Sequence, residues 1–128
     1  MEKAGSSAVS GKWENELGSV MELMVKDSGQ ITGKYTTAVT TEDSSQKEKT
    51  TELVGYINTD QTKQTTTIAF CMAWKIKGSC SAFSGQIFKE DNGTDVMKTT
   101  WLLHSPAESL GENWDATCIG ENTFHRCP

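Results

Sequence analysis

QTTTIAFCMAWKIKGSCSAFSGQIFK, residues 64–89, reads as two strands joined by a tight turn. Ile68, Phe70, Met72 and Trp74 alternate with small or polar residues, as do Ser81, Phe83 and Ile87 after the Lys77-Gly78-Ser79 turn. Side chains in a strand alternate sides, so each set shares one face, and that face holds the aromatic rings. Such a hairpin has one apolar side to bury and belongs to an antiparallel sheet.

Working outward, similar punctuation recurs at Asp27-Ser28-Gly29, Asn58-Thr59-Asp60 and Asp91-Asn92-Gly93. The segments between are rich in Thr, Val, Ile and aromatics. Strands are expected at 11–17, 19–26, 30–40, 52–58, 64–75, 80–89, 95–103 and 116–126. Eight strands with short connections predict an all-β fold, an antiparallel up-and-down β-barrel. Alternation places Trp13, Asn15 and Leu17 on its inner face, then Tyr35, Thr37 and Val39, then Met97, Trp101 and Leu103, and finally Gly120, Asn122 and Phe124. Two segments break the pattern: the polar run 41–51, expected as an exposed mobile loop at the barrel mouth, and 105–114, expected as a short helical turn presenting Trp114 at the domain edge.

At 128 residues the chain suits one domain, expected over 11–126 behind a disordered segment, 1–10. Its hydrophobic content of 35% is low, but the polar surplus is Thr, Ser and Gly, which strands and turns accept. With 12 basic against 17 acidic residues, net charge −5, there is no basic stripe for nucleic acid. No run approaches the ~20 apolar residues of a membrane span, and no leader precedes the first strand, so we expect a soluble chain from which any leader has been removed.

Four tryptophans, Trp13, Trp74, Trp101 and Trp114, lie beside hydroxyl and amide side chains. Indole walls can enclose an apolar body while Asn15, Ser19, Tyr35, Thr37 and Asn122 aim donors and acceptors at a polar head. Unpaired buried polar groups are costly, so this inward set points to a ligand more than to a core. Trp13 reads as a plug for the closed end. The histidines, His104 and His125, fall in no hydrolase or metalloprotease signature, and no glycine-rich phosphate loop opens a helix; the chain reads as a binder, not an enzyme, with no cofactor. His125, Cys118 and Cys127 do not match zinc-ligand spacing.

The segments GKWENELGS (11–19), TGKYTTAVT (32–40), AWK (73–75), FSGQ (83–86), KTTWLL (98–103), and NWDAT with GENTF (113–124) resemble the avidin and streptavidin family, nearer the animal avidins. The likeness covers nearly the whole chain in order. It implies a secreted, non-catalytic, biotin-binding barrel in a homotetramer that sequesters the vitamin. It also implies roles: Asn15, Ser19 and Tyr35 on the ureido oxygen, Thr37 and Asn122 accepting its two N–H groups. Trp74, Phe83, Trp101 and Leu103 would wrap the fused rings, with Ser81 near the sulfur. Thr40, Thr41 and Ser79 would meet the carboxylate, and Trp114 would reach a neighbouring subunit's pocket. Gly11-Lys12-Trp13 also matches the G-x-W start of lipocalins, so a monomeric lipocalin-like carrier of another small apolar ligand is the rival reading.

The mouth departs from the family pattern. Ile76 stands where animal relatives carry an aromatic, and Lys77 and Glu42 where hydroxyls are usual, which predicts faster release with binding retained. Four cysteines allow three pairings. Cys71 and Cys80 share the outer face across the hairpin and are one candidate bridge; Cys118 and Cys127 are too far apart along one extended strand to pair there. Asn92-Gly93-Thr94 is a glycosylation sequon in an exposed turn.

Overall fold

The computed structural model of the protein describes residues 9–38 and 49–128. Eight antiparallel strands form a closed barrel in sequence order: β1 Gly11–Asn15, β2 Val20–Val25, β3 Gln30–Thr36, β4 Thr50–Asp60, β5 Thr65–Trp74, β6 Ser79–Lys89, β7 Asp95–His104 and β8 Thr117–Arg126. A 3₁₀ helix, Leu110–Asp115, joins β7 to β8. β1 closes the barrel against β8 with Trp13 opposite Arg126 and Asn15 opposite Phe124.

The two-residue period is kept around the barrel. Phe70 pairs with Phe83, Phe83 with Trp101 and Trp101 with Gly120, so one inward row runs across four strands. Gly120 is required there, because a Cβ would overlap the Trp101 indole. Tight reversals use glycine with positive φ, as at Gly18 (87°) and Gly29 (91°), a conformation open to glycine without penalty.

Some boundaries differ from the sequence expectation. β1 stops at Asn15 because Glu16–Gly18 form the reversal, where the Gly18 N–H donates to the Asn15 carbonyl over 3.0 Å. β3 stops at Thr36 and not at 40. β4 starts at Thr50 and runs through the expected Asn58-Thr59-Asp60 turn, and the chain reverses only after Asp60. The expected loop therefore yields Thr50 and Thr51 to β4; its residues 41–48, like Val39 and Thr40, lie outside the described residues.

Val9 and Ser10, expected in a disordered start, are packed. Val9 is fully buried, its carbonyl accepts the Trp13 indole N–H at 2.9 Å, and the Ser10 carbonyl accepts from Arg126 at 2.8 Å. With Trp13, Met21, Ile31, Met97 and Phe124, Val9 closes one end of the barrel. The Arg126 guanidinium lies 4.4 Å from the Trp13 ring centroid, a cation–π contact over this base.

All four cysteines are free thiols. The Cys71–Cys80 bridge does not form because the register pairs Cys71 with Ala82 and Cys80 with Ala73. That diagonal separates the Cα atoms by roughly 7–8 Å, beyond ordinary disulfide geometry.

Candidate functional site

Above the packed base the barrel holds a cavity of about 320 Å³, within the range of small-molecule sites. Eleven of the residues singled out from sequence line it: Asn15, Ser19, Tyr35, Thr37, Trp74, Ser79, Ser81, Phe83, Trp101, Leu103 and Asn122. Leu17, Lys49 and Lys77 complete the lining. Thr40, Thr41 and Glu42 lie outside the described residues. Trp114 lines no part of this chain's cavity; it sits on the 3₁₀ helix, 83% exposed. Ile76 is also exposed, away from the lining.

Asn15 ends β1 with its side chain inward, and the turn that follows fixes which way its amide faces. Its Oδ1 accepts the backbone N–H groups of Leu17 at 3.0 Å and Ser19 at 2.9 Å. The Asn15 NH₂ is thereby left for the interior and donates to the Tyr35 hydroxyl over 3.4 Å. Ser19 Oγ accepts from the Ala38 N–H at 2.9 Å, which leaves its own hydroxyl hydrogen to donate elsewhere. Burial pushes the Tyr35 phenol above its ordinary pKa, with Glu16 adding to the rise, and the hydrogen bonds from Ser19 and Asn15 oppose it only in part. Tyr35 is therefore a protonated donor at neutral pH. Asn15, Ser19 and Tyr35 form a donor-bearing corner.

The side of this corner next to β1 is built from β8. Asn122 donates through Nδ2 to Glu16 Oε1 at 2.9 Å. Glu16 Oε2 accepts the Thr123 backbone N–H at 2.9 Å. Burial raises the Glu16 carboxyl, but the hydrogen bonds of Asn122, Thr123 and its own backbone, with the Lys98 charge, outweigh that and hold it below its ordinary value. Glu16 lies between the inward-placed Asn15 and Leu17, so strand parity puts it on the outer face and gives no sign of this contact; β1 has already ended at this position, and the side chain reaches β8.

The walls are aromatic. Phe70 stacks on Phe83 at 4.8 Å between centroids, and Tyr35 meets Trp74 edge-on at 6.1 Å. The Trp74 indole N–H donates to Ser81 Oγ at 3.0 Å, which fixes both side chains. Lys49, which the sequence reading passed over inside a polar run, joins Lys77 in the lining, so two cations border the cavity. Among the described residues no three His, Cys, Asp or Glu converge on a metal position, and no helix is long and apolar enough to cross a membrane.

Comparison with known proteins agrees with this architecture. The family model described as "Avidin family" matches residues 3–127. The chain is 40% identical over 124 residues to avidin from Gallus gallus, covering 96% of this chain and 80% of that protein. It is 37% identical to avidin-related protein 4/5 from Gallus gallus with the same coverage. Among solved structures, a biotin binding protein from chicken superposes with a TM-score of 0.86 at 32% identity, over 95% of this chain and 99% of the other. Xenavidin superposes at 0.84 with 32% identity, over 93% and 97%. These matches do not favour the lipocalin-like reading. By its barrel fold and by sequence over almost its whole length, the chain belongs to the avidin family.

Proposed function

We propose that this protein binds biotin inside its barrel, held as one domain over residues 11–126, and so withholds the vitamin from its surroundings. Proteins of the avidin family bind biotin as a ligand, need no cofactor and are not enzymes, and neither is this chain. The observation that carries the ligand assignment is the make-up of the cavity: N–H and O–H donors at Asn15, Ser19 and Tyr35, flanked by side-chain oxygens of Thr37 and Asn122. A cyclic urea is the complementary object, with one carbonyl oxygen for the donors and two N–H groups for the acceptors. In a dry cavity such bonds strengthen and polarise one another. A ligand without the ureido group leaves the donors unpaired, at roughly 1–3 kcal/mol for each buried group.

Trp74, Phe83, Trp101 and Leu103 then enclose the fused rings, and Ser81 lies beside the sulfur. The carboxylate points to the mouth, toward Ser79 and, in the segment outside the described residues, Thr40 and Thr41. Lys49 and Lys77 lower the cost of bringing an anion there, by about 0–1 kcal/mol each near water.

We further propose a homotetramer in which Trp114 covers a neighbour's pocket. The exposure of Trp114 and Leu110 supports this reading, as does an outer face of Val54, Tyr56, Leu102 and Ile119 open to solvent. Exposed apolar patches of this kind mark association surfaces. Sequestration is extracellular on this account, and Asn92 lies exposed in the β6–β7 turn where a secreted chain can be glycosylated.

Titration calorimetry with biotin, and with an analogue lacking the ureido group, tests the ligand. Tight binding of biotin and at least tenfold weaker binding of the analogue are expected; equal, weak binding of both ends the reading. Light scattering after gel filtration tests the assembly, and Trp114→Ala should both loosen it and speed biotin release. A strict monomer with unchanged release would refute the shared pocket.

A further inference from the structure

Glu16 is the first residue beyond the β1–β8 ladder, which ends where Asn15 faces Phe124. One step further along β8, the Thr123 N–H is taken by the Glu16 carboxylate instead of by main chain, and the same carboxylate takes the Asn122 amide. An ionised carboxylate only accepts hydrogen bonds. Asn122 can therefore meet it only through NH₂, because a reversed amide would set two oxygens against each other at 2.9 Å. The Asn122 backbone is also held, its carbonyl accepting from Thr99 Oγ1 at 3.1 Å.

We propose that Glu16 is a positioning residue of the pocket: it orients the Asn122 amide so that its oxygen is the atom offered to a ligand, and so selects a ligand that presents N–H at that place. The carboxylate touches no ligand. It acts through Asn122, which both bonds the carboxylate and lines the cavity. Naming biotin as that ligand rests on the function proposed above; the orienting role rests on the two hydrogen bonds alone. The depressed Glu16 pKa is consistent, since it keeps the group an acceptor at neutral pH.

A double-mutant cycle on biotin release tests the role. Glu16→Ala removes both charge-assisted bonds and is expected to speed release roughly tenfold or more. In an Asn122→Ala background the same change should matter less than twofold, because no amide remains to orient. An equal factor in both backgrounds would show Glu16 acting through the β1–β2 turn, and would overturn the proposal. Glu16→Gln guards against misfolding: it keeps the size but can preserve only one of the two bonds, so it should speed release several-fold at unchanged Tm.

The unliganded protein gives a separate reading. The Asn122 side-chain NH₂ resonances should exchange slowly with water and lose that protection in Glu16→Ala, which leaves no acceptor at that place. Resonances indifferent to that change overturn the orienting role even if biotin binds. Failure of the unsubstituted chain to take up biotin, with those resonances protected and sensitive, removes the biotin reading and the ligand clause while leaving the orientation standing.

Discussion

The two ends of the barrel are built on opposite principles. At the base, Val9, Trp13, Met21, Ile31, Met97 and Phe124 are packed with almost no exposure, and the polar groups among them have partners within the chain. Toward the mouth, hydroxyls, amides and two lysines line open space. The base is filled by the chain's own side chains, whereas the upper half surrounds a cavity whose polar side chains, though bonded to one another, also face open space. Stability should therefore reside below and recognition above, and substitutions at each level separate the two.

Trp13→Ala should have the largest effect, about 3–5 kcal/mol lost from unfolding free energy by denaturant titration, since it opens a cavity and removes the ring beneath Arg126. A loss under about 1 kcal/mol would mean the base is not the rigid end. Next is Tyr35→Phe, expected to weaken biotin by about 1–3 kcal/mol with little change in Tm. Tyr35 also predicts a pH dependence with a definite sign. Its folded pKa is raised, so its contribution is whole below the ordinary tyrosine range and is lost as pH rises through the folded value. Biotin retention should hold from neutral into mildly alkaline buffer and then fall, and Tyr35→Phe should abolish that alkaline limb.

A smaller effect, about tenfold in affinity, is expected for Gly120→Ala, whose methyl must push the Trp101 indole from its place; calorimetry would read it. Unchanged affinity would show that the wall can shift without loss. The least effect belongs to the mouth. Lys77→Ser should alter affinity by at most about 1 kcal/mol and reduce the salt dependence of binding. A larger, salt-independent loss would move Lys77 from the rim into the recognition set.

The fold was readable because a period of two, repeated across many short segments, admits few architectures, and a barrel leaves no edge exposed. Inner and outer faces followed from parity alone, which is why Phe70, Phe83 and Trp101 emerged in one row. Strand ends were less legible: a run of Thr such as Thr50 and Thr51 is equally at home in a loop, and only pairing with Thr36 and Tyr35 decides it. Glu16 escaped because parity describes a residue inside a ladder and not one that hooks back past its end. Lys49 escaped because nothing in a polar run distinguishes the lysine that borders the cavity. The cysteines showed the opposite failure, in which a shared face suggested a bridge that a two-residue offset in register forbids.

Every neighbouring strand pair but one joins segments adjacent in sequence; the exception is β1 with β8. Closing this seam carries the greatest loop-closure entropy of the eight pairings, so it is expected to form after the local hairpins. Asn15 and Asn122 lie on the two strands of that junction, and Glu16, just after Asn15, holds the Asn122 amide. Vitamin capture during refolding should accordingly lag the growth of sheet signal, and a nascent chain still lacking its last ten residues would be unable to trap anything at all.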